Sequence, residues 1–123
     1  MGDGPVSVLV VDDHDDFRAL ICEVVEATPG MLLAGQARSG EEALDAVADL
    51  SPRLVIMDKR MAGMGGVEAA RRMRARHPEV VVVLVSVEAP KDGVVEAAGA
   101  AAFLHKRSIS PKALAGLWSR YGS

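Results

Sequence analysis

Five times along this 123-residue chain an unbroken apolar run gives way to a segment with apolar residues at helical spacing, and that alternation restricts the fold to the α/β class. Runs as β-branched as Val6 to Val11 and Val80 to Val85 suit strands buried on both faces, as in a parallel sheet covered by helices. Aromatic residues make up only 3% of the chain, so Val, Leu, Ile, Met and Ala must build the core. The length suits one domain, residues 1–123, and contains no internal repeat or linker composition.

The run Val6 to Val11 ends abruptly at Asp12 and Asp13. Phe17, Leu20, Ile21, Val24 and Val25 then predict the inward face of a helix that Pro29-Gly30 stops. Met31 to Gln36 reads as a second strand, and Ser39-Gly40-Glu41-Glu42 as a capping box opening a helix through Leu50. Arg53 to Met57 forms the third strand and delivers Asp58; the loop Lys59 to Gly66 leads into a helix ending near His77-Pro78. After Val80 to Val85 come a weak helix at Val94 to Ala98, a short strand at Ala101 to Leu104, and a last helix capped by Ser110-Pro111. Short βα connections imply right-handed crossovers, and in such sheets ligands bind outside the carboxyl ends of the strands. Asp12, Asp13, Asp58, Ser86 and Lys106 all fall at such ends.

Two carboxylates about 5 Å apart repel by roughly 3 kcal/mol at an effective dielectric near 20, so three at one crevice call for a cation. Oxygen donors favour a hard ion, and Mg²⁺ holds a few carboxylates while keeping waters that a phosphate can replace. Lys106 adds a fixed positive charge and Ser86 a hydroxyl donor. These are the parts for phosphoryl transfer to a carboxylate, with Asp58, alone at the end of the central strand, as the nucleophile.

Val8-Leu9-Val10-Val11-Asp12-Asp13-His14, Leu54-Val55-Ile56-Met57-Asp58, Ser86 and Gly99-Ala100-Ala101-Ala102-Phe103-Leu104-His105-Lys106 resemble response-regulator receiver domains in order and spacing, over essentially the whole chain. Asp-Asp-His and the loop Met61 to Gly66 look most like the NarL/LuxR-type subfamily with helix-turn-helix outputs. The resemblance implies a doubly wound (βα)5, flavodoxin-like or CheY-like three-layer sandwich with a five-stranded parallel sheet in the order 2-1-3-4-5. It further implies that Asp58 takes phosphate from a sensor histidine kinase in a Mg²⁺-dependent reaction. Asp13, Asp58 and the Arg60 backbone carbonyl would ligate the metal, with Asp12 acting largely through water. Ser86 and Phe103 would be the switch pair beside Lys106, and Arg60 and Glu88, with Val87 narrowing access, would gate the phosphoryl site. The face built from the fourth helix, fifth strand and fifth helix would carry the signal to a homodimer or to an output domain, and the segment Glu88 to Ala98 would be the least stable element.

The chain departs from the family at Ala62, Gly65, Val87 and Arg107, where Pro, Asp, a small residue and Pro are commoner. Several features have plainer readings. Asp15 and Asp16 suit the start of a helix, Arg71, Arg72, Arg74 and Arg76 a mostly solvated face, and His14, His77 and His105 structural or surface roles. A flavodoxin-type cofactor carrier would not place Asp12-Asp13 where phosphate must sit, and an aspartyl-phosphate hydrolase would need Asp, not Arg60, two positions after the nucleophile. A turnover enzyme is therefore not expected. A receiver-like interaction module that works without phosphorylation is the competing function.

A net charge of -3 supplies no attraction to nucleic acid or anionic membranes, and no stretch is long enough to span a bilayer. The single Cys22 and the absence of a secretory leader point to the cytoplasm; Met1-Gly2, with Val6 where Ser or Thr would mark myristoylation, reads as an ordinary N-terminus. The expectation is a receiver with no output domain in this chain, working alone or with a DNA-binding partner in transcription regulation.

Overall fold

The computed structural model describes residues 4–122, so the reading of Met1-Gly2 lies outside it. The elements are β1 (Val6–Val11), α1 (Asp15–Ala27), β2 (Met31–Ala37), α2 (Gly40–Leu50), β3 (Leu54–Asp58), α3 (Gly66–Arg76), β4 (Val81–Ser86), α4 (Val94–Ala98), β5 (Ala102–His105) and α5 (Pro111–Tyr121). All strands pair in parallel, in the order β2-β1-β3-β4-β5.

Period-two alternation divides the core. Val8 and Val10, Leu54 and Ile56, and Val83 and Val85 face Ile21, Cys22 and Val25 of α1 and Leu114 of α5. Leu9 and Val11, Val55 and Met57, and Val82 and Leu84 face α2, α3 and α4 through Val47, Met73 and Ala98. The buried residues of both layers are almost all aliphatic, as the scarcity of aromatic residues predicts. The chain winds to β2 on one side of β1 and to β3 on the other, so a crevice opens where β1 and β3 end.

Three local readings are corrected. Leu20 is 48% exposed, and α1 turns Arg18, Ile21, Cys22 and Val25 inward instead, a stripe rotated so that the arginine reaches polar partners under the helix. Ser39 caps α2 by accepting from the Glu42 N–H, but Glu42 reaches back to the N–H of Arg38, not to that of Ser39, so the box closes one residue early. Arg74 is not a solvated arginine: it donates to the carbonyls of Pro78, of Val80 at 2.9 Å and of Gly99 at 3.1 Å, tying the end of α3 to the strand and helix that follow. Arg71, Arg72 and Arg76 are exposed as expected.

Candidate functional site

Strand parity sets the site. Asp12 continues the Val8, Val10 row and Asp58 the Leu54, Ile56 row, which carries both carboxylates to the α1 side where β1 and β3 run adjacent. Lys106 continues the row of Ala102 and Leu104, at the start of a short 3₁₀ turn over Lys106–Ser108, and points the same way. Its ammonium lies 3.0 Å from Asp12 Oδ2 and 3.2 Å from Asp58 Oδ2, and 4.3 Å from the centre of the Phe17 ring. Asp12, Asp58 and Lys106 are all buried.

Backbone amides hold the carboxylates from the other side. Asp12 Oδ1 accepts from the His14 N–H at 2.9 Å, Asp58 Oδ1 from the Arg60 N–H at 3.2 Å, and Asp13 Oδ2 from the Ala62 N–H at 3.0 Å. The last bond ties the β1–α1 turn to the β3–α3 loop. That loop can lie so close because residue 66 is glycine. A Cβ there would stand 2.1 Å from the Asp58 carbonyl oxygen.

Among the described residues two buried side-chain oxygens have no hydrogen-bond donor, Asp12 Oδ2 and Asp13 Oδ1. The ammonium of Lys106 is within ion-pair distance of the first but lies off its hydrogen-bond direction. Asp12, Asp13, His14 and Asp58 each offer one ligand atom within 4.8 Å of the others. Three carboxylates facing one ammonium, two of their oxygens unsatisfied, fit a hard divalent cation. Burial pushes the Asp58 carboxyl above its ordinary value and the charge of Asp12 adds to this, while the Arg60 N–H and Lys106 oppose it.

The other expected residues line the approach. Ser86 is buried at the end of β4, its hydroxyl accepting from the Glu88 N–H at 3.2 Å. Arg60 Nη2 lies 3.4 Å from Glu88 Oε1, and this exposed pair stands beside exposed Val87. An open cleft of about 400 Å³ joins His14, Phe17, Asp58, Arg60, Ser86 and Val87. Phe103 is only partly buried and packs on the α2–α4 side of the sheet, away from the Lys106 row.

Two residues to which the sequence assigned no role in the site belong here. Arg18 is buried beneath the β1–α1 turn, donating to the Asp12 carbonyl at 3.0 Å, Gln36 Oε1 at 3.0 Å and Asp15 Oδ1 at 2.8 Å. The pair with Arg18 holds the exposed Asp15 carboxyl below its ordinary value. His14, read as structural or surface, turns its imidazole to the carboxylates, with Nδ1 3.2 Å from Asp13 Oδ1 and 3.5 Å from Asp12 Oδ1. The only sequence signal for Arg18 was its position, five residues beyond Asp13, whereas His14 stood directly after the acidic pair.

The family model for the response regulator receiver domain matches residues 8–116. Over 103 residues the chain is 44% identical to the response regulator GacA of Pseudomonas syringae pv. syringae, covering 82% of this chain and 48% of that protein. It is 33% identical over 118 residues to the response regulator UvrY of Escherichia coli K12, covering 94% of this chain and 54% of that one. The chain thus spans about half the length of these curated relatives. Among solved structures, the signal receiver domain of NarL from Mycobacterium tuberculosis superposes with a TM-score of 0.80 at 30% identity, over 92% of this chain and 95% of that one. The response regulator domain of Thermotoga maritima CheB does so with 0.80 at 26%, over 94% and 95%. With the fold, the strand order and the match over most of its length in agreement, this chain belongs to the response regulator receiver domain family.

Proposed function

We propose that Asp58 accepts a phosphoryl group from a sensor histidine kinase in a Mg²⁺-dependent reaction, and that this chain relays the event to an output domain or partner that regulates transcription. The observation that supports this most is the ammonium of Lys106 held between Asp12 and Asp58, with unsatisfied oxygens of Asp12 and Asp13 beside it. Burying these carboxylates costs folding free energy, and an interaction module without phosphorylation has no use for them.

Asp12, Asp13, Asp58 and the Arg60 carbonyl would hold Mg²⁺, which when bound neutralises charge on the carboxylates and on the incoming phosphoryl oxygens. In the transfer, phosphorus leaves a nitrogen of the kinase imidazole, which keeps the bonding pair, and bonds to a carboxylate oxygen of Asp58. Lys106 is placed to neutralise the charge that develops there, and the Ser86 hydroxyl, which accepts from the Glu88 N–H, to donate its own proton to a phosphoryl oxygen. Phe103 lies on β5 three residues before Lys106, and the α4-β5-α5 face around it would be the readout surface, used by a homodimer or partner. Arg60 and Glu88 gate water at the cleft mouth: Arg60→Ala and Glu88→Ala should each change the dephosphorylation rate, and unchanged rates in both would reject the gate.

The test is incubation with acetyl phosphate and Mg²⁺ followed by intact-mass spectrometry. Uptake of one phosphate is expected, with none in Asp58→Asn. Undiminished uptake in Asp58→Asn without a substitute acceptor would remove the assignment.

A further inference from the structure

His14 is the N-cap of α1, yet its side chain makes no capping hydrogen bond. The His14 side chain is 73% exposed, yet its Nδ1 lies 3.2 Å from Asp13 Oδ1. Two donors at right angles on an ion about 2.1 Å from each stand about 3 Å apart, so this spacing is that of neighbouring ligands on one small divalent cation. The Asp12 carboxylate fixes the position from below, since its Oδ1 accepts the His14 N–H at 2.9 Å. Asp13 Oδ1 and the fully buried Asp12 Oδ2 both lack a hydrogen-bond donor, and the one ammonium of Lys106, 3.0 Å from Asp12 Oδ2, faces three carboxylates, so the pocket is short of positive charge.

We propose that His14 is a further metal ligand of this centre, converting an all-oxygen site into an oxygen-and-nitrogen site that favours later transition ions such as Co²⁺ while still accepting Mg²⁺ and Mn²⁺. The ligand chemistry gives the direction. Carboxylates alone suit Mg²⁺ and Mn²⁺, whereas an imidazole nitrogen raises affinity for the later transition metals and adds little for Mg²⁺. The cluster of Asp12, Asp13, His14 and Asp58 supplies three oxygens and one nitrogen within 4.8 Å of one another. The His14 side chain is largely exposed, with its Nδ1 already turned to the Asp13 carboxylate.

This inference rests on the carboxylates being a metal site, and the experiment separates the two. Mn²⁺ is bound to the metal-free protein and read by electron spin-echo modulation, which detects a directly coordinated nitrogen; Co²⁺ and Mg²⁺ affinities are measured by calorimetry. Nitrogen modulation is expected in the wild type and lost in His14→Ala and in His14→Asn, whose side chain is well suited to the N-cap position. Co²⁺ binding should weaken about tenfold in both variants while Mg²⁺ binding changes less than about twofold. Mn²⁺ that binds without nitrogen modulation, or modulation that survives in His14→Ala and so comes from His77 or His105, overturns the assignment of His14 and leaves the carboxylate site standing. No Mn²⁺ binding, or binding unaffected by Asp13→Asn, overturns both.

Discussion

The guanidinium of Arg18 donates to the backbone carbonyl of Asp12 at 3.0 Å, so a buried positive charge braces the acidic turn from behind without neutralising its carboxylates. The same side chain reaches Gln36 on β2 and Asp15 on α1, which fixes the turn between two elements. Arg18→Ala should cost about 2–3 kcal/mol, because the carbonyl and the amide oxygen lose their donor in a buried place. Arg18→Lys should recover little, since one ammonium cannot cover the planar fork. Urea denaturation checks both. Mg²⁺ affinity by calorimetry should fall in parallel; Trp118, stacked near Arg53 at the opposite end of the sheet, would not report it.

Asp58→Asn should stabilise the metal-free protein by on the order of 1 kcal/mol. Burial and Asp12 raise the carboxyl of Asp58, so its ionised form is disfavoured in the folded state at neutral pH, and an amide of the same shape removes that penalty while still accepting from Lys106. Thermal unfolding in EDTA is the measurement. Added Mg²⁺ should raise the melting temperature of the wild type more than that of the variant, and a less stable variant in EDTA would contradict the account.

Gly66→Ala should be among the most damaging single-methyl changes in the chain, costing about 3 kcal/mol. The new Cβ would meet the Asp58 carbonyl oxygen at 2.1 Å and Lys59 Cα at 2.9 Å, and both are backbone. The start of α3 must then move off the end of β3, breaking the bond from the Gly66 N–H to the Lys59 carbonyl. Equilibrium denaturation reads the loss, and Gly116→Ala, where nothing lies within 4 Å, is the matched control and should be neutral or better.

Glu68 accepts from Arg71 and Arg72 one turn along α3, and these bonds hold its carboxyl well down, at about 2. A depressed native value means that the folded state holds the proton less readily than the unfolded chain. The contribution is therefore complete above the ordinary value of 4.5 and disappears as pH falls through about 2. The stability difference between wild type and Glu68→Gln should stay constant above about pH 5 and close below it. The pair is exposed, so the difference is small at every pH and should shrink in high salt.

Amide exchange across residues 88–98 should be the fastest of the elements flanking the cleft. The helix α4 has five residues between Gly93 and Gly99, both at positive φ, and so lacks the length to hold itself. Ala98 and the bond from Arg74 to the Gly99 carbonyl anchor only its far end. Beryllofluoride should change protection in this segment, and Arg74→Ala should speed exchange without it. Uniform protection, indifferent to beryllofluoride, would count against a readout through this helix.

The sequence by itself determined the element order, most boundaries to within a residue, the parallel sheet and the placing of three carboxylates, a hydroxyl and a lysine at strand ends. These follow from local quantities: apolar periodicity, caps at Ser39 and Ser110, and the rule that crossovers put ligands at carboxyl ends. What only the tertiary structure decided depends on pairing between distant segments. The irregularity between Val8 and Leu9, where β2 has one residue more than β1, reverses the facing of the end of β2. Leu33 packs on the α1 side, but Ala37 packs on the α2 side and Gln36 becomes free to meet Arg18. That meeting rotates α1 so that an arginine is buried and Leu20 is not, against the residues' own hydropathy. His14 turning to Asp13, Arg60 reaching Glu88 and Arg74 closing on Gly99 are likewise contacts across loops. One-dimensional periodicity records which face a residue favours but carries no information about which partner it will find there.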